Sequence, residues 1–438
     1  MAIPFEIITG PYLNHLTRTA TTPTMTPSAH ALFPSANLSD NRSSKPAIYG
    51  LASSDSTIMF DLNIVPGGSF ETTDDTDLWT VQGIGSLVPD GSAAYEGLSG
   101  AKLTVDFGAS VRGEAIAVRD VIVRSGEELN FFAAAACSSP ATTGFGYVKV
   151  RNRETGHWLR GSDQVWTSSD ESVLAVSSTS WSTVDITFSV ESLAICIRDS
   201  VRLRIYLDSS GDHGYYDQIS MWPSINWLSV HGHNIPPFIT PIIEYSTDLA
   251  ATWTTYQTMT LRRDSFYTLF AQNEIHRHWR LRLEGKPDDA VGSEQMYLGE
   301  LVAGQSVDML RNPNYGATLK WADLQTRLES DIGESFVALH NSAPQRTLQM
   351  NILFPDVASY EQFHKEVFRG SRGGGNLIAI VPTEMDDSVV ILGRVRDSID
   401  VTKNLPLERT SLLEIVEAPL PNAPEVAYAW DEILVEDA

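Results

Sequence analysis

Apolar and polar residues alternate with period two through most of the chain. Ile58, Phe60 and Leu62 fall on one face of an extended run, and Val201, Leu203, Ile205 and Leu207 on one face of another. Trp279 to Leu283 and Leu348 to Ile352 repeat the pattern, and clusters of Gly, Asp, Asn and Ser separate such runs at short intervals, as in sandwiches and barrels. Only one stretch has a helical period. Asp356 can cap it, Val357, Tyr360, Phe363 and Val367 form a stripe, and Gly370 can end it. The pattern predicts an all-β protein of tandem sandwiches with one helix.

The breaks in the pattern suggest nesting. Residues 1–35 form an N-terminal arm, Thr/Ser/Pro-rich between Thr17 and Ser28, and 36–66 begin a sandwich that stops at Pro66-Gly67-Gly68. A second sandwich fills 67–223, and 224–303 supply the remainder of the first. An insertion at an exposed turn disturbs its host least when its own ends lie close together. Residues 304–420 form a further β domain, and 421–438 a Pro-rich acidic tail carrying Tyr428, Trp430, Ile433 and Leu434.

Charge and length narrow the function. At 438 residues the chain exceeds one core. A net charge of −24, from 31 Lys+Arg against 55 Asp+Glu, disfavours a nucleic-acid groove, which needs a basic surface. No apolar run reaches the roughly 18–20 residues that span a bilayer, and no basic-then-apolar leader is visible, so cytoplasmic synthesis without membrane insertion is expected. Cys137 and Cys196 sit in β-like apolar runs and are expected to be buried thiols.

Three resemblances follow from ordered landmarks. Gly67 to Glu71 with Leu78-Trp79-Thr80, then Gly97 to Leu103, Val123 to Phe131 and Val201 to Trp222, together resemble the jelly-roll carbohydrate-binding modules found beside cellulases and xylanases. That resemblance implies a possible structural calcium with Glu71 and Asp217 as side-chain ligands, completed by backbone oxygens as a hard cation prefers; ordinary edge carboxylates are the equal alternative. It also implies sugar stacking on exposed aromatic rings, for which Trp79, Tyr147, Trp158 and Trp166 are the candidates. Trp158 and Trp166, in polar loop-like surroundings, are preferred, though core packing is the competing role for each. The split host, through Glu244 to Thr255 and His276 to Gly285, resembles discoidin-like sandwiches. Tyr297 to Gly304, Asn312 to Gly316, Leu324 to Ser330, Ala343 to Phe354, Gly373 to Pro382 and Ile391 to Ser398 follow the order of tailed-phage tail-tip and distal-tail proteins, whose split β-barrel domain packs into rings.

Catalytic signatures are sparse. His231/His233 and His276/His278 each share a strand face, but neither pair has a convincing third ligand, so structural hydrogen bonding is expected. Asp74, Asp75 and Asp77 lie too close in sequence to frame a glycosidic bond and are read as solvated. Gly373 to Gly375 is a turn, not a phosphate cradle. The expectation is a non-catalytic structural component of a tailed-phage virion: tail tip, hub or adaptor. It would assemble as a homo-oligomeric ring with other tail proteins and display a module for host cell-surface glycan. A polysaccharide-degrading enzyme or a free carbohydrate-binding protein is the alternative.

Overall fold

A computed structural model describes residues 7–9, 14–26, 28, 31, 34–39, 47–50, 55–83, 85–105, 114–137, 145–191, 200–210, 213–248, 250–262, 265–285, 295–308, 318–322, 325–329, 335–339, 345–354, 361, 378–382, 391–395, 400–403 and 409–418. The chain is all-β, and among the described residues every strand pair is antiparallel. It divides into two compact units. One comprises Leu62–Ser224 with Thr19–Thr21, and the other holds Met1–Arg18, Thr22–Asp61 and Ile225–Ala438.

The Leu62–Ser224 unit is a two-sheet jelly roll. Its seven-stranded sheet runs Trp166–Thr167, Trp158–Leu159, Phe145–Asn152, Ser200–Ser210, Glu114–Arg124, Thr80–Gly83, with Leu174–Val176 also paired to Phe145–Asn152. Its five-stranded sheet runs Ser182–Ser189, Glu128–Cys137, His213–Pro223, Gly100–Val105, Gly85–Asp90. The chain crosses repeatedly between the sheets, so residues far apart in sequence share one core. The inward set of each strand fills it: Val148 and Val150, Leu203, Ile205 and Leu207, Ala115 and Ala117 from one sheet, and Leu129, Phe131, Ala133, Ala135 and Tyr216 from the other. Cys137 belongs to this core as a free thiol, its Sγ against the Val176 carbonyl at 3.1 Å.

Entry and exit of this unit are clasped by one side chain. Asn63 Oδ1 accepts from the amides of Val65 (3.0 Å) and Met221 (3.0 Å), and the Ile64 amide donates to the Met221 carbonyl at 2.8 Å. The two ends are therefore adjacent, as an insertion requires.

In the other unit, segments on either side of Leu62–Ser224 share sheets. One sheet runs Ser265–Glu274, Ile225–His233, Gln295–Gly304, Ala47–Gly50, and the other Thr254–Thr258, Thr240–Ser246, His278–Glu284, Ser56–Asp61, Thr24–Thr26. A third sheet runs Val307–Asp308, Ile7–Thr9, Ile378–Pro382, Ile391–Val395, Arg409–Glu417, Gln345–Phe354, Thr318–Ala322, with Asp400–Lys403 beside Arg409–Glu417. Among the described residues this sheet is open, where the sequence suggested a split barrel. Residues 1–35 also depart from a separate arm. Ile7–Thr9 pairs with both Val307–Asp308 and Ile378–Pro382, and Asn14 bonds the Leu301 carbonyl (2.7 Å) and the Ala303 amide (3.1 Å). Three-residue strands are too short to reveal a period, so only pairing identifies them.

The described α-helix is one turn, Thr73–Asp77, opened by a capping box between Thr72 and Asp75. Asp74 and Asp75 lie in its first turn, where negative charge suits the helix dipole. The helix expected over 356–370 lies outside the described residues apart from Glu361, which is helical and exposed; Cys196 and the 421–438 tail lie outside them as well. No helix among the described residues is long and apolar enough to cross a membrane.

Replacing Asn63 with Ala should strand the Met221 and Val65 amides and lower the stability of this unit by about 1–3 kcal/mol. Chemical denaturation of the full chain checks this, and an unchanged midpoint would mean the clasp is redundant.

Candidate functional site

The register of the seven-stranded sheet places chemistry on its outward face. Tyr147, Lys149 and Arg151 alternate with buried Val148 and Val150, and stand opposite Asp208, Tyr206 and Arg204 respectively. Those in turn stand opposite Ile116, Val118 and Asp120. On the other side, Arg151 pairs with Trp158. The result is a grid of aromatic and charged side chains spanning four strands.

Trp158 is the centre of this grid. Its ring is half-buried, tilted 49° against Tyr206 with centroids 5.1 Å apart. The Arg151 guanidinium lies 5.0 Å and the Lys149 ammonium 5.7 Å from the indole centroid, within cation–π range. Lys149 also lies 5.3 Å from the Tyr147 ring. Arg151 is steered by a bond from its Nε to the Gly156 carbonyl at 3.1 Å. Gly156 has φ +80, the left-handed conformation that favours glycine and lets the turn fold back to this point.

Most charges of the face are paired within it. Lys149 bonds Asp170 (3.2 Å) and Asp208 (3.4 Å). Burial acts to lower the Lys149 pKa, but those two carboxylates outweigh it and hold it raised. Arg204 grips Asp120 with two bonds, 2.5 and 2.8 Å, and Arg153 adds a third at 2.9 Å. The Arg204 bonds, ahead of a smaller opposing effect of burial, hold Asp120 below the usual carboxylate range. Arg202 pairs with Glu154 at 3.4 Å. Such a face offers flat apolar surface ringed by fixed donors and acceptors, with its formal charge largely cancelled.

Of the four aromatic candidates, Tyr147 and Trp158 share the outward face, with the Lys149 ammonium near both rings. Trp79 is a correction: it is 4% exposed, packs 5.5 Å from Phe70 and donates from Nε1 to the Gly67 carbonyl at 3.0 Å, so its ring belongs to the core. Trp166 is likewise turned away. It pairs with Leu159, packs against the core edge-on to Phe188, and donates to the Ser189 carbonyl at 2.9 Å. Sequence reasoning missed Tyr206, Arg151 and Lys149. The alternation from Val201 to Leu207 already put Arg202, Arg204 and Tyr206 on one face, but only the register shows that this face adjoins Trp158.

Glu71 and Asp217 converge on one loop. Glu71 accepts from the amides of Leu98 (3.0 Å) and Ser99 (3.2 Å), and Asp217 from those of Tyr95 (2.8 Å), Glu96 (3.0 Å) and Gln218 (2.7 Å). Gly97, at φ +75, lets the loop close over Glu71; a Cβ there would fall 1.7 Å from its Oε1. Asp217 is fully buried. Desolvation lifts its pKa to about 6 against the pull of its amide donors, and the Glu71 charge adds to the rise. Two carboxylates on one loop offer the oxygen donors a hard cation takes, and no group of three or more His, Cys, Asp or Glu stands together among the described residues. One histidine of each pair is engaged within its own sheet. His233 is buried, held neutral by desolvation with its pKa near 3, and accepts from the Ile235 amide, while His276 stacks on Tyr245 at 3.8 Å.

Comparison with known proteins adds the following. No protein-family model and no curated protein matches the chain. Among solved structures, it is similar to the C-terminal family 22 carbohydrate binding module of Clostridium thermocellum Xyn10B, with 15% identity over 36% of this chain and 91% of that one, at a TM-score of 0.24. The CBM22-1 xylan-binding domain of Paenibacillus barcinonensis Xyn10C matches at 17% identity over 36% and 91%, with TM-score 0.25. A family 16 carbohydrate binding module matches at 20% identity over 36% and 99%, with TM-score 0.25.

Asp217 makes stability depend on pH. Its folded pKa, about 6, exceeds the ordinary 3.8, so between roughly pH 4 and 6 the native state holds a proton the unfolded chain has lost. Its contribution is therefore present below pH 4 and lost as pH rises through 6, by roughly 3 kcal/mol. Denaturation with chelator present at pH 4.5 and 6.5 should show about 2 kcal/mol of this loss in the wild type relative to Asp217→Asn; parallel pH curves would exclude it.

Proposed function

We propose that the outward face of the seven-stranded sheet binds a neutral glycan, and that the chain is a non-catalytic structural subunit displaying this face. The observation that carries the reading is the Trp158–Tyr206 pair, set on one sheet face beside Lys149 and Arg204, whose charges are already matched. Sugar rings present apolar C–H faces to aromatic rings and hydroxyls to the surrounding polar groups. Lys149 and Arg204, whose charges are paired, have less to gain from an acidic sugar, which would compete with Asp170, Asp208 and Asp120 for them; Arg151 is instead spent on the indole and the Gly156 carbonyl.

The carboxylates near Trp158 support a binding role over hydrolysis. A glycosidase needs one carboxyl held protonated as general acid. Asp120 is instead pulled below the ordinary range by Arg204, and Asp170 and Asp208 serve as counter-ions to Lys149.

The order of segments in the 304–420 region and the host sandwich resembles tail-tip proteins, which supports a place in a tailed-phage virion as an oligomeric ring with other tail proteins, with host surface glycan as the ligand. Strands at the ends of the open sheet would offer backbone groups for neighbours to pair with. Glu71 and Asp217 would hold a structural calcium, neutralising two buried or half-buried anions at the 95–99 loop.

Titration calorimetry of the full chain with xylohexaose and cellohexaose, two neutral probes, tests the glycan reading. Trp158→Ala and Tyr206→Ala should each weaken binding on the order of tenfold or more, while Trp166→Ala acts mainly on stability; absence of binding to neutral chains, or of any effect of Trp158→Ala, would reject it. New reducing ends on incubation would restore the enzyme. A chelator should lower the melting temperature of the wild type and leave Asp217→Asn little changed; equal melting with and without chelator counts against calcium. Negative-stain images should show rings, and a strictly monomeric species would end the assembly proposal.

A further inference from the structure

The strand bearing Trp158 is only two residues long, Trp158–Leu159, and a single ladder pair, Arg151 with Trp158, joins it to its inner neighbour. So short a ladder does not fix an indole by itself. The turn before it, residues 152–157, shares that task with the outer Trp166–Thr167 pair, the buried Leu159 and the Tyr206 ring.

That turn is closed internally. The Asn152 side chain accepts from the Glu154 amide at 3.0 Å, the Gly156 amide donates to the Asn152 carbonyl at 2.8 Å, and the Asn152 amide donates to the His157 carbonyl at 2.9 Å. It is then tied to the opposite sheet through one carboxylate. Glu191 Oε2 accepts from Thr155 Oγ1 at 2.6 Å and from Asn152 Nδ2 at 3.2 Å, and Oε1 lies 2.8 Å from His157 Nδ1. Glu191 follows Ser182–Ser189, the edge strand of the five-stranded sheet.

The post that carries Glu191 is itself fixed. Val190 is 1% exposed; its amide donates to the Glu127 carbonyl (2.8 Å), and its carbonyl accepts from the Gly126 amide (3.1 Å). Just before it in the same segment, the Ser189 carbonyl holds Trp166 Nε1, and Trp166 lies beside Leu159 in the ladder. The segment 189–191 thus secures both short strands at the open end of the face. One of its ties reaches the turn that aims Arg151 across the indole.

We propose that Glu191 is the positioning residue of the glycan-binding face, holding the 152–157 turn so that Trp158 and Arg151 keep their relative orientation. This rests on the reading of that face as a glycan site. Glu191 touches no sugar; its three side-chain partners belong to the turn.

The test uses the full-length chain, with xylohexaose and cellohexaose as probes and the Trp158 indole N–H resonance, assigned by its loss in Trp158→Phe, as a second readout. Glu191→Ala should weaken binding roughly tenfold, the cost expected when charge-assisted bonds that orient a contact are lost, and should shift or broaden the Trp158 resonance. Glu191→Gln, which keeps an acceptor for the turn, should recover most of both. Binding within twofold of wild type together with an unmoved Trp158 resonance in Glu191→Ala would overturn the proposal. If the wild type binds neither probe, the glycan reading fails separately, and the resonance alone decides whether Glu191 orients Trp158. Should Glu191→Ala not fold, Thr155→Val removes its shortest contact and is read in the same two ways.

Discussion

The antiparallel register between Phe145–Asn152 and Ser200–Ser210 is the constraint on which the rest of the jelly-roll unit depends. It sends Val148, Val150, Leu203, Ile205 and Leu207 into the core and, by the same alternation, Tyr147, Lys149, Arg151, Arg204, Tyr206 and Asp208 outward. A slip of one residue would turn one of the two strands over, for instance exposing Leu203, Ile205 and Leu207 and burying Arg204 and Asp208. Core stability and the composition of the outward face are therefore one requirement. The face cannot drift in register while the core remains filled.

Charge pairing refines what the register lays out. Arg204 and Asp120 face each other across adjacent strands, and Lys149 lies between Asp208 on the next strand and Asp170 on a loop. Each pair is modest in energy at a partly exposed site, but together they hold long side chains in fixed orientations around the Trp158 and Tyr206 rings. Orientation of this kind lowers the entropy lost when a ligand docks. At the other side of the unit, Glu71 and Asp217 do comparable work on backbone amides, with burial making Asp217 costly to ionise.

Strand alternation made the all-β class and the outward placement of Arg202, Arg204 and Tyr206 legible, because a period of two survives without knowledge of partners. Aromatic type and polar context were less reliable guides to exposure. Trp166 has polar neighbours in sequence and still turns to the core, since its indole N–H finds the Ser189 carbonyl 23 residues on. Trp79 is enclosed for a similar reason, with Gly67 as its acceptor. Side-chain hydrogen bonds over such separations leave no periodic trace, and neither does Glu191, whose partners lie more than 30 residues upstream.

By itself, then, the sequence determined which residues could share a strand face and where the period is interrupted, because backbone geometry alone sets that relation. Tertiary structure decided which faces adjoin. It set Trp158 against Tyr206 and Arg151, brought Glu71 and Asp217 to one loop, and drew Ile7–Thr9 into a sheet with Ile378–Pro382. Each of those meetings depends on cross-strand pairing between distant segments, which is fixed only when the apolar faces close on a common core.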